Sequence, residues 1–123
     1  MDPEATVVTA QEVFSIDEKI RWVAITSRSG HVILNEMRPG VRSYSPTKAD
    51  EEFAELGPLT LLGVAEKYSE YLSGVEWITV HFGLAICVYS RLGSQVISVS
   101  IEKDRDALDR FQAWLERKRH ELH

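Results

Sequence analysis

The order of the apolar runs constrains this chain more than any other feature of its sequence. An amphipathic start is followed by two strand-like runs, one long helical run, three closely spaced strand-like runs and an amphipathic end. Alternating apolar residues predict strands, and apolar residues three and four apart predict helices. The sequence therefore predicts an α/β (α+β) sandwich in the order helix, two strands, helix, three strands, helix.

Composition limits the class of protein. The 123 residues fit one domain, 1–123, with 44% hydrophobic residues for a core. A net charge of -5 disfavours nucleic-acid binding. The N-terminus lacks the pattern of a signal peptide, and no apolar run approaches the ~20 residues that span a bilayer. We expect a cytoplasmic protein without membrane insertion, and its single cysteine, Cys87, excludes an internal disulfide.

The first half of the chain predicts a short helix and a hairpin. The helix covers Thr9 to Lys19, and the first strand covers Ile20 to Thr26. Apolar residues on both faces of that strand predict a central position in the sheet. A turn with Gly30 leads to the second strand, Val32 to Met37, so the two strands form a hairpin.

A long helix is predicted next, running toward Gly74. Either Ser45 caps it with Pro46 at the first helical position, or Thr47 caps it with Asp50 three residues on. The pair Gly57–Pro58 predicts a kink or a restart, because proline removes a helical hydrogen bond. The apolar stripe comprises Phe53, Leu56, Thr60, Leu61, Val64, Tyr68 and Leu72.

The second half predicts a three-stranded meander and a closing helix. Gly93–Ser94 is a hairpin signal between its last two strands. Asp104 or Asp106 can cap the final helix, whose buried stripe is Leu108, Phe111 and Leu115. The strands span Val75 to Phe82, Ala85 to Ser90 and Val96 to Ile101.

Residue patterns for catalysis are missing. The sequence has no G-x-G-x-x-G, no G-x-x-x-x-G-K-[ST], no G-x-S-x-G and no H-E-x-x-H. Cys87 could act as a nucleophile if His81 on the neighbouring strand approached it, but a cysteine in an apolar strand usually serves packing. His120 and His123 lack a third metal ligand. We expect no enzyme, no metal and no cofactor.

Basic residues before the long helix form the best candidate for an anion site. Arg38, Arg42 and Lys48 cluster in sequence around the linker into that helix. A helix start with basic neighbours can receive a phosphate or carboxylate. The acidic residues Asp50, Glu51 and Glu52 favour the alternative that the charges only complement the helix dipole.

The apolar excess indicates a partner surface. The third strand carries Trp77, Ile78, Val80 and Phe82, and the long helix has more apolar residues than one stripe needs. If the third strand lies at the sheet edge, its open hydrogen bonds invite pairing with a second copy. The sequence therefore favours a homodimer over a monomer with a helix buried on several sides.

The same elements resemble the Roadblock/longin superfamily in its Roadblock form, and they are similar to small archaeal Roadblock-like proteins. The residues that carry the resemblance are Ile20-Arg21-Trp22-Val23-Ala24-Ile25, Ser29-Gly30-His31-Val32-Ile33, Arg38-Pro39-Gly40-Val41, Thr47-Lys48-Ala49-Asp50-Glu51-Glu52 and Val99-Ser100-Ile101-Glu102.

The resemblance implies a five-stranded antiparallel sheet in the order 2-1-5-4-3, with the long helix on one face and the terminal helices on the other. It also implies a homodimeric, non-enzymatic regulator or scaffold, with a small GTPase as a candidate partner. The alternative is a profilin-like or PAS-like sensor domain that binds a small ligand. The implied dimer interface comprises Leu61, Val64, Tyr68, Leu72, Trp77, Thr79 and His81.

Overall fold

The computed structural model describes residues 5–122, with the backbone alone for residues 47, 50, 53, 56 and 59. Within these residues, four helices and five strands follow the predicted order. Helix α1 covers Ala10–Phe14, strand β1 Ile20–Ser27, strand β2 Val32–Met37, helix α2 Thr47–Glu66, and the short helix α3 Ser69–Leu72. Strand β3 covers Ile78–His81, β4 Ala85–Leu92, β5 Gln95–Glu102, and helix α4 Arg105–Leu122.

All five strands join one antiparallel sheet in the order β2-β1-β5-β4-β3, which confirms the predicted topology. Strand β1 is central, as its two apolar faces predicted, and it lies between β2 and β5. Val99 on β5 pairs with Val23 on one side and with Val88 on the other. Gly30 and Gly93 have φ angles of 90° and 60° in the two tight turns, a conformation that glycine adopts without steric cost.

The main core lies between the sheet and the two terminal helices. Val23, Ile25, Ile97 and Val99 pack there with other large aliphatic residues, against Phe111 of α4. Each fully buried aliphatic side chain contributes about 1.5–3 kcal/mol. The predicted stripe of α4 is confirmed, since Leu108, Phe111 and Leu115 are buried. Of the two candidate caps, Asp104 is the one that accepts a hydrogen bond, from the backbone N–H of Ala107 at 2.9 Å.

Helix α2 covers the opposite face of the sheet, where the side chains are smaller. Trp22, Ala24 and Ala54 form the buried cluster on this side. The neighbouring strands present Cys87, Ser98 and Ser100 to it, because these residues occupy the same pleat. The long helix thus rests on small and polar residues together with the rings of Trp22 and Tyr89, rather than on a second aliphatic core.

The course of α2 differs from the prediction in two places. Of the kink or restart expected at Gly57–Pro58, the restart is wrong, because the helix continues through both residues. Pro58 is buried on the same face of the helix as Ala54 and Leu62, four residues away on either side. The burial of its ring offsets the helical hydrogen bond that proline cannot donate. The helix ends instead at Glu66. Helix α3 ends at Leu72, and its C-cap is Ser73, with a φ of 69°, one residue before the expected cap, Gly74.

The start and the stripe of α2 also need correction. Pro46 occupies the N-cap position rather than the first helical position, so Ser45 is not the cap. Thr47 is the first helical residue, so the alternative cap is wrong as well. The side chains of Thr47, Asp50, Phe53 and Leu56 lie outside the described part. Among the other stripe residues, Thr60, Val64, Tyr68 and Leu72 are exposed. The inward positions are Ala54, Pro58 and Leu62.

Strand β3 is shorter than the predicted Val75 to Phe82, because residues 73–77 are not in a strand. It pairs with β4 and forms one edge of the sheet, and β2 forms the other. Across residues 5–122, none of the helices has the length and the apolar character that a bilayer crossing requires.

Candidate functional site

A ridge of apolar side chains follows the end of α2 into α3. Val64, Tyr68, Tyr71 and Leu72 are exposed to 56%, 59%, 77% and 78%, and we call these four residues the apolar ridge. They follow one another from the last turn of α2, across the break, into α3. Exposed apolar patches of this kind mark protein interaction sites on soluble proteins. The ridge is therefore the first component of a candidate partner surface.

Backbone hydrogen bonds fix the shape of the ridge. The helix breaks at Lys67 and Tyr68, and the N–H groups of Tyr71 and Leu72 both donate to the carbonyl of Tyr68, at 3.0 and 2.9 Å. This short turn holds the two most exposed ridge residues beside Tyr68. An ion pair between Arg91 on β4 and Glu66 at the end of α2 anchors the preceding turn to the sheet.

The open edge of β3 is the second component. Val80 pairs with Cys87, and the N–H of Phe82 donates to the carbonyl of Ala85 at 2.9 Å. Because backbone groups alternate in an antiparallel ladder, Phe82 and Val80 direct theirs toward β4, whereas Thr79 and His81 direct theirs outward. These outward N–H and C=O groups can form a ladder with a strand of another molecule.

The predicted interface residues fall into two groups. Val64, Tyr68, Leu72 and His81 are exposed, and Leu61 and Thr79 are half-buried. Trp77 is also half-buried, but it is distinguished by its packing against the aliphatic core on the α4 side. Tyr71 joins the exposed group in the structure although the predicted interface did not include it. Its exposure follows from the break after α2, which the spacing of apolar residues did not reveal.

The segment around Trp77 is held to the body of the protein. Arg119 of α4 contacts the carboxylate of Glu76 at 4.0 Å and the carbonyl of Val75 at 3.5 Å. The hydroxyl of Ser90 donates to the carbonyl of Glu76 at 2.8 Å. Trp77, the residue before β3, is therefore held in a fixed position by its neighbours in the chain.

The predicted anion residues are not equivalent. Arg38 donates from Nε to the carbonyl of Ile20 at 2.7 Å, and from Nη2 to those of Phe14 and Asp17, each at 2.6 Å. These contacts join the α1 segment to the sheet, so Arg38 has a structural role. Arg42 and Lys48 are exposed.

The geometry separates the two residues that could have formed a nucleophilic pair. Cys87 lies opposite Val80, whereas His81 lies opposite Ile86, so Cys87 and His81 project from opposite faces of the sheet. Burial raises the pKa of the Cys87 thiol, which keeps it protonated at neutral pH. Residues 5–122 contain no group of three or more His, Cys, Asp or Glu side chains that could hold a metal ion. His123 lies outside the described residues.

Sequence comparisons with protein-family models and with curated proteins find no significant match. Solved structures do match over most of the chain. A Roadblock/LC7 domain from Streptomyces avermitilis has a TM-score of 0.60 at 13% identity, covering 84% of this chain and 87% of that one. The gliding protein MglB from Thermus thermophilus has a TM-score of 0.61 at 12% identity, covering 98% and 99%.

MglB from Myxococcus xanthus has a TM-score of 0.63 at 12% identity, covering 94% of each chain. A further MglB structure, with a tetrameric arrangement, has a TM-score of 0.60 at 12% identity and covers 100% of each chain. These similarities show that the chain has a Roadblock-like fold, as its sequence pattern indicated.

Proposed function

We propose that this protein, which has the Roadblock-like fold, is a homodimeric interaction module that acts as a regulator or scaffold for a protein partner. It has no catalytic role in this proposal. The observation that carries the proposal is the position of the apolar ridge beside a sheet edge whose hydrogen-bonding groups are directed outward.

The two components of the surface lie on the same side of the molecule. The Arg91–Glu66 ion pair places the end of α2 over β4, which is the neighbour of β3. Arg91 lies two residues beyond Tyr89, which pairs with Ile78, the first residue of β3. A second copy that extended the sheet at β3 would therefore also meet the ridge. Apolar contact and backbone hydrogen bonds would then form together.

The interface residues in this proposal are Leu61, Val64, Tyr68, Leu72, Thr79 and His81, together with Tyr71. Trp77 has a supporting role, since its packing positions the first residue of β3. Symmetric pairing of one patch with itself is the commonest way in which a single surface forms a dimer. The MglB structure with a tetrameric arrangement is a precedent for assembly in this fold, but at 12% identity it says nothing of these residues.

Dimerisation can be tested by removing apolar surface at the ridge. We expect the wild-type protein at micromolar concentration to have the mass of two chains in analytical ultracentrifugation. The variants Tyr71→Ser and Leu72→Ser should weaken the dimer at least 10-fold each, because both side chains are more than three-quarters exposed in a single chain. Their circular dichroism spectra should be unchanged.

Tyr44→Ser is the matched control for Tyr71→Ser. Tyr44 is an exposed tyrosine outside the ridge, with 58% of its surface accessible. It should leave the dimer intact. A wild-type protein that is monomeric throughout the micromolar range contradicts the proposal, and so does an equal effect of Tyr44→Ser and Tyr71→Ser.

A small GTPase is the partner class that the family resemblance supports. The acidic chain, at a net charge of -5, gives no support for nucleic acid as the alternative partner. Immobilised protein should bind a small GTPase of the same organism with an affinity that differs between its GDP form and a non-hydrolysable GTP form. Equal and weak retention of both nucleotide forms would remove the GTPase from the proposal while leaving the dimer to the preceding experiment.

A further inference from the structure

A cavity of about 550 Å³ lies on the α2 face of the sheet, beneath the first turns of that helix. Among the described residues, Trp22, Met37, Cys87 and Ser100 form its walls on the sheet side. On its solvent side it is lined by Tyr44, in the linker before α2, and by Leu84, in the turn after β3, and both of these residues are exposed. Binding sites for small molecules are typically about 300–1,000 Å³.

Small side chains create this space. Ala49 of α2, Ala85 and Cys87 of β4 and Ser100 of β5 all line the cavity. On the other side of the sheet, the neighbouring residues Ile86, Val88, Val99 and Ile101 fill the equivalent layer with aliphatic side chains. On the same strands, the side chains that face α2 are therefore smaller than those that face α4. The space that they leave unfilled is the cavity.

The charged group in the cavity wall already has partners within the protein. Arg21 is the charged residue among the described lining residues. Its Nη2 donates to the carbonyl of Arg42 at 2.7 Å, its Nη1 lies 3.4 Å from Glu102, and its guanidinium stacks 4.1 Å above the ring of Tyr44. A bound anion would have to compete with all three contacts. An uncharged molecule needs to displace none of them.

The wall also offers a few polar atoms. Cys87 and Ser100 are directly opposite each other on β4 and β5, so the thiol and the hydroxyl lie side by side in the wall. Burial raises the pKa of Cys87, so its thiol is a neutral hydrogen-bonding group at physiological pH. The remaining walls at Trp22, Met37 and Leu84 are apolar.

We propose that this cavity binds a small, uncharged and mainly apolar molecule of one or two aromatic rings, with one polar atom directed toward Ser100 and Cys87. This inference goes beyond the proposed dimer and does not depend on it, because the ridge residues do not line the cavity. The exposed Leu84 and Phe82 at the opening would cover part of the bound molecule.

N-phenyl-1-naphthylamine is a suitable probe, since it is uncharged, has the right size and fluoresces strongly in apolar surroundings. We expect saturable binding of one probe per chain. Energy transfer from Trp22, which lines the cavity, should accompany binding. The anionic probe 8-anilinonaphthalene-1-sulfonate should bind at least 10-fold more weakly.

Two variants fill the cavity from different sides. Ala49→Trp adds a large ring at an exposed helix position that lines the cavity, and Cys87→Leu adds volume at the sheet. Each should weaken binding of the neutral probe at least 10-fold. Ala49→Trp keeps the test valid if Cys87→Leu does not fold. The control Ala113→Trp places the same ring on the exposed side of α4 and should bind the probe as the wild type does.

Three results would overturn the proposal. The first is binding that Ala49→Trp leaves unchanged but that Tyr71→Ser with Leu72→Ser abolishes, since the probe then sits on the ridge. The second is tighter binding of the anionic probe than of the neutral one. The third is a probe affinity that falls as the protein concentration rises through the dimer range, because a second copy then occupies the cavity.

Discussion

The guanidinium of Arg91 donates hydrogen bonds from both Nε and Nη2 to the carboxylate of Glu66, the second of them at 2.9 Å. This pair joins the end of α2 to β4, and both side chains are largely removed from solvent. Two-pronged contacts between a guanidinium and a carboxylate are stronger and more directional than single ones. The pair therefore fixes the position of the end of α2 relative to β4, and the apolar ridge begins at that end of the helix.

The Arg91–Glu66 pair makes stability depend on pH. The hydrogen bonds from Arg91 hold the pKa of Glu66 below its ordinary value. Its contribution is therefore present above about pH 5 and is lost as the pH falls through the folded-state pKa. We expect Glu66→Gln to lower the free energy of unfolding by about 1 kcal/mol at pH 7.

Urea denaturation at pH 7 and near pH 3 measures this effect. The difference between wild type and Glu66→Gln should shrink at the lower pH. Glu70→Gln, on the exposed α3, is the control and should change stability by less than about 0.5 kcal/mol at both pH values. A Glu66→Gln deficit that is the same at both pH values would show that charge is not the cause.

Arg38 should be important for stability rather than for anion binding. Its three hydrogen bonds to the carbonyls of Phe14, Asp17 and Ile20 need a planar group with several donors. Arg38→Lys keeps the charge but loses that geometry, so we expect a loss of about 2 kcal/mol in the free energy of unfolding. Arg42→Lys, at an exposed position, should change stability little. Equal stabilities of the two variants in urea denaturation would contradict this role.

The cap of α4 can be measured directly. Asp104 accepts a hydrogen bond from the N–H of Ala107 at the first turn. Replacing a capping side chain with alanine costs about 1 kcal/mol. We expect this loss in thermal or urea unfolding of Asp104→Ala, and near wild-type stability for Asp104→Asn, which retains an acceptor. Asp106→Ala, the alternative cap in the sequence, should have the smaller effect, and a larger one would contradict the assignment.

Two proline variants in the edge strand β3 should have different effects, because neighbouring residues direct their backbone groups to opposite sides of the strand. Thr79 directs its backbone groups outward, so Thr79→Pro should preserve the β3–β4 ladder and weaken the dimer. Val80 directs its groups toward β4, so Val80→Pro should reduce stability itself, by about 3 kcal/mol in urea denaturation. Ultracentrifugation of Thr79→Pro at constant secondary structure checks the first effect. A Thr79→Pro protein that dimerises like the wild type would show that β3 does not pair between chains.

The strands could be predicted closely because each has a local cause. The second strand, Val32 to Met37, agrees at both ends, since Gly30 and the pair Pro39–Gly40 bound it in sequence. The order of the strands came from the family resemblance, because alternation of apolar residues does not say which strands pair. The long helix could not be predicted in detail. The apolar spacing favoured a stripe through Val64, whereas packing against small residues places Ala54, Pro58 and Leu62 inward.

The candidate site was predictable in part for the same reason. Val64, Tyr68 and Leu72 were identified because the long helix carries more apolar residues than one buried stripe needs. The burial of Trp77 on the α4 side was not predictable, since it depends on where β3 begins, and β3 begins at Ile78 rather than at Val75. Arg38 was assigned to an anion site because its neighbours in sequence are basic, but its neighbours in space are backbone carbonyls. The cavity lies where β1, β2, α2, β4 and β5 meet, so no single segment of the sequence predicts it.

The two faces of the sheet are packed differently, and the residues under α4 and those under α2 therefore have different roles. Aliphatic packing under α4 determines whether the chain acquires its structure, and the thinly packed layer under α2 contributes much less to that outcome. Substitutions on the α2 side can therefore change what the protein binds, while the aliphatic packing under α4 still determines the fold.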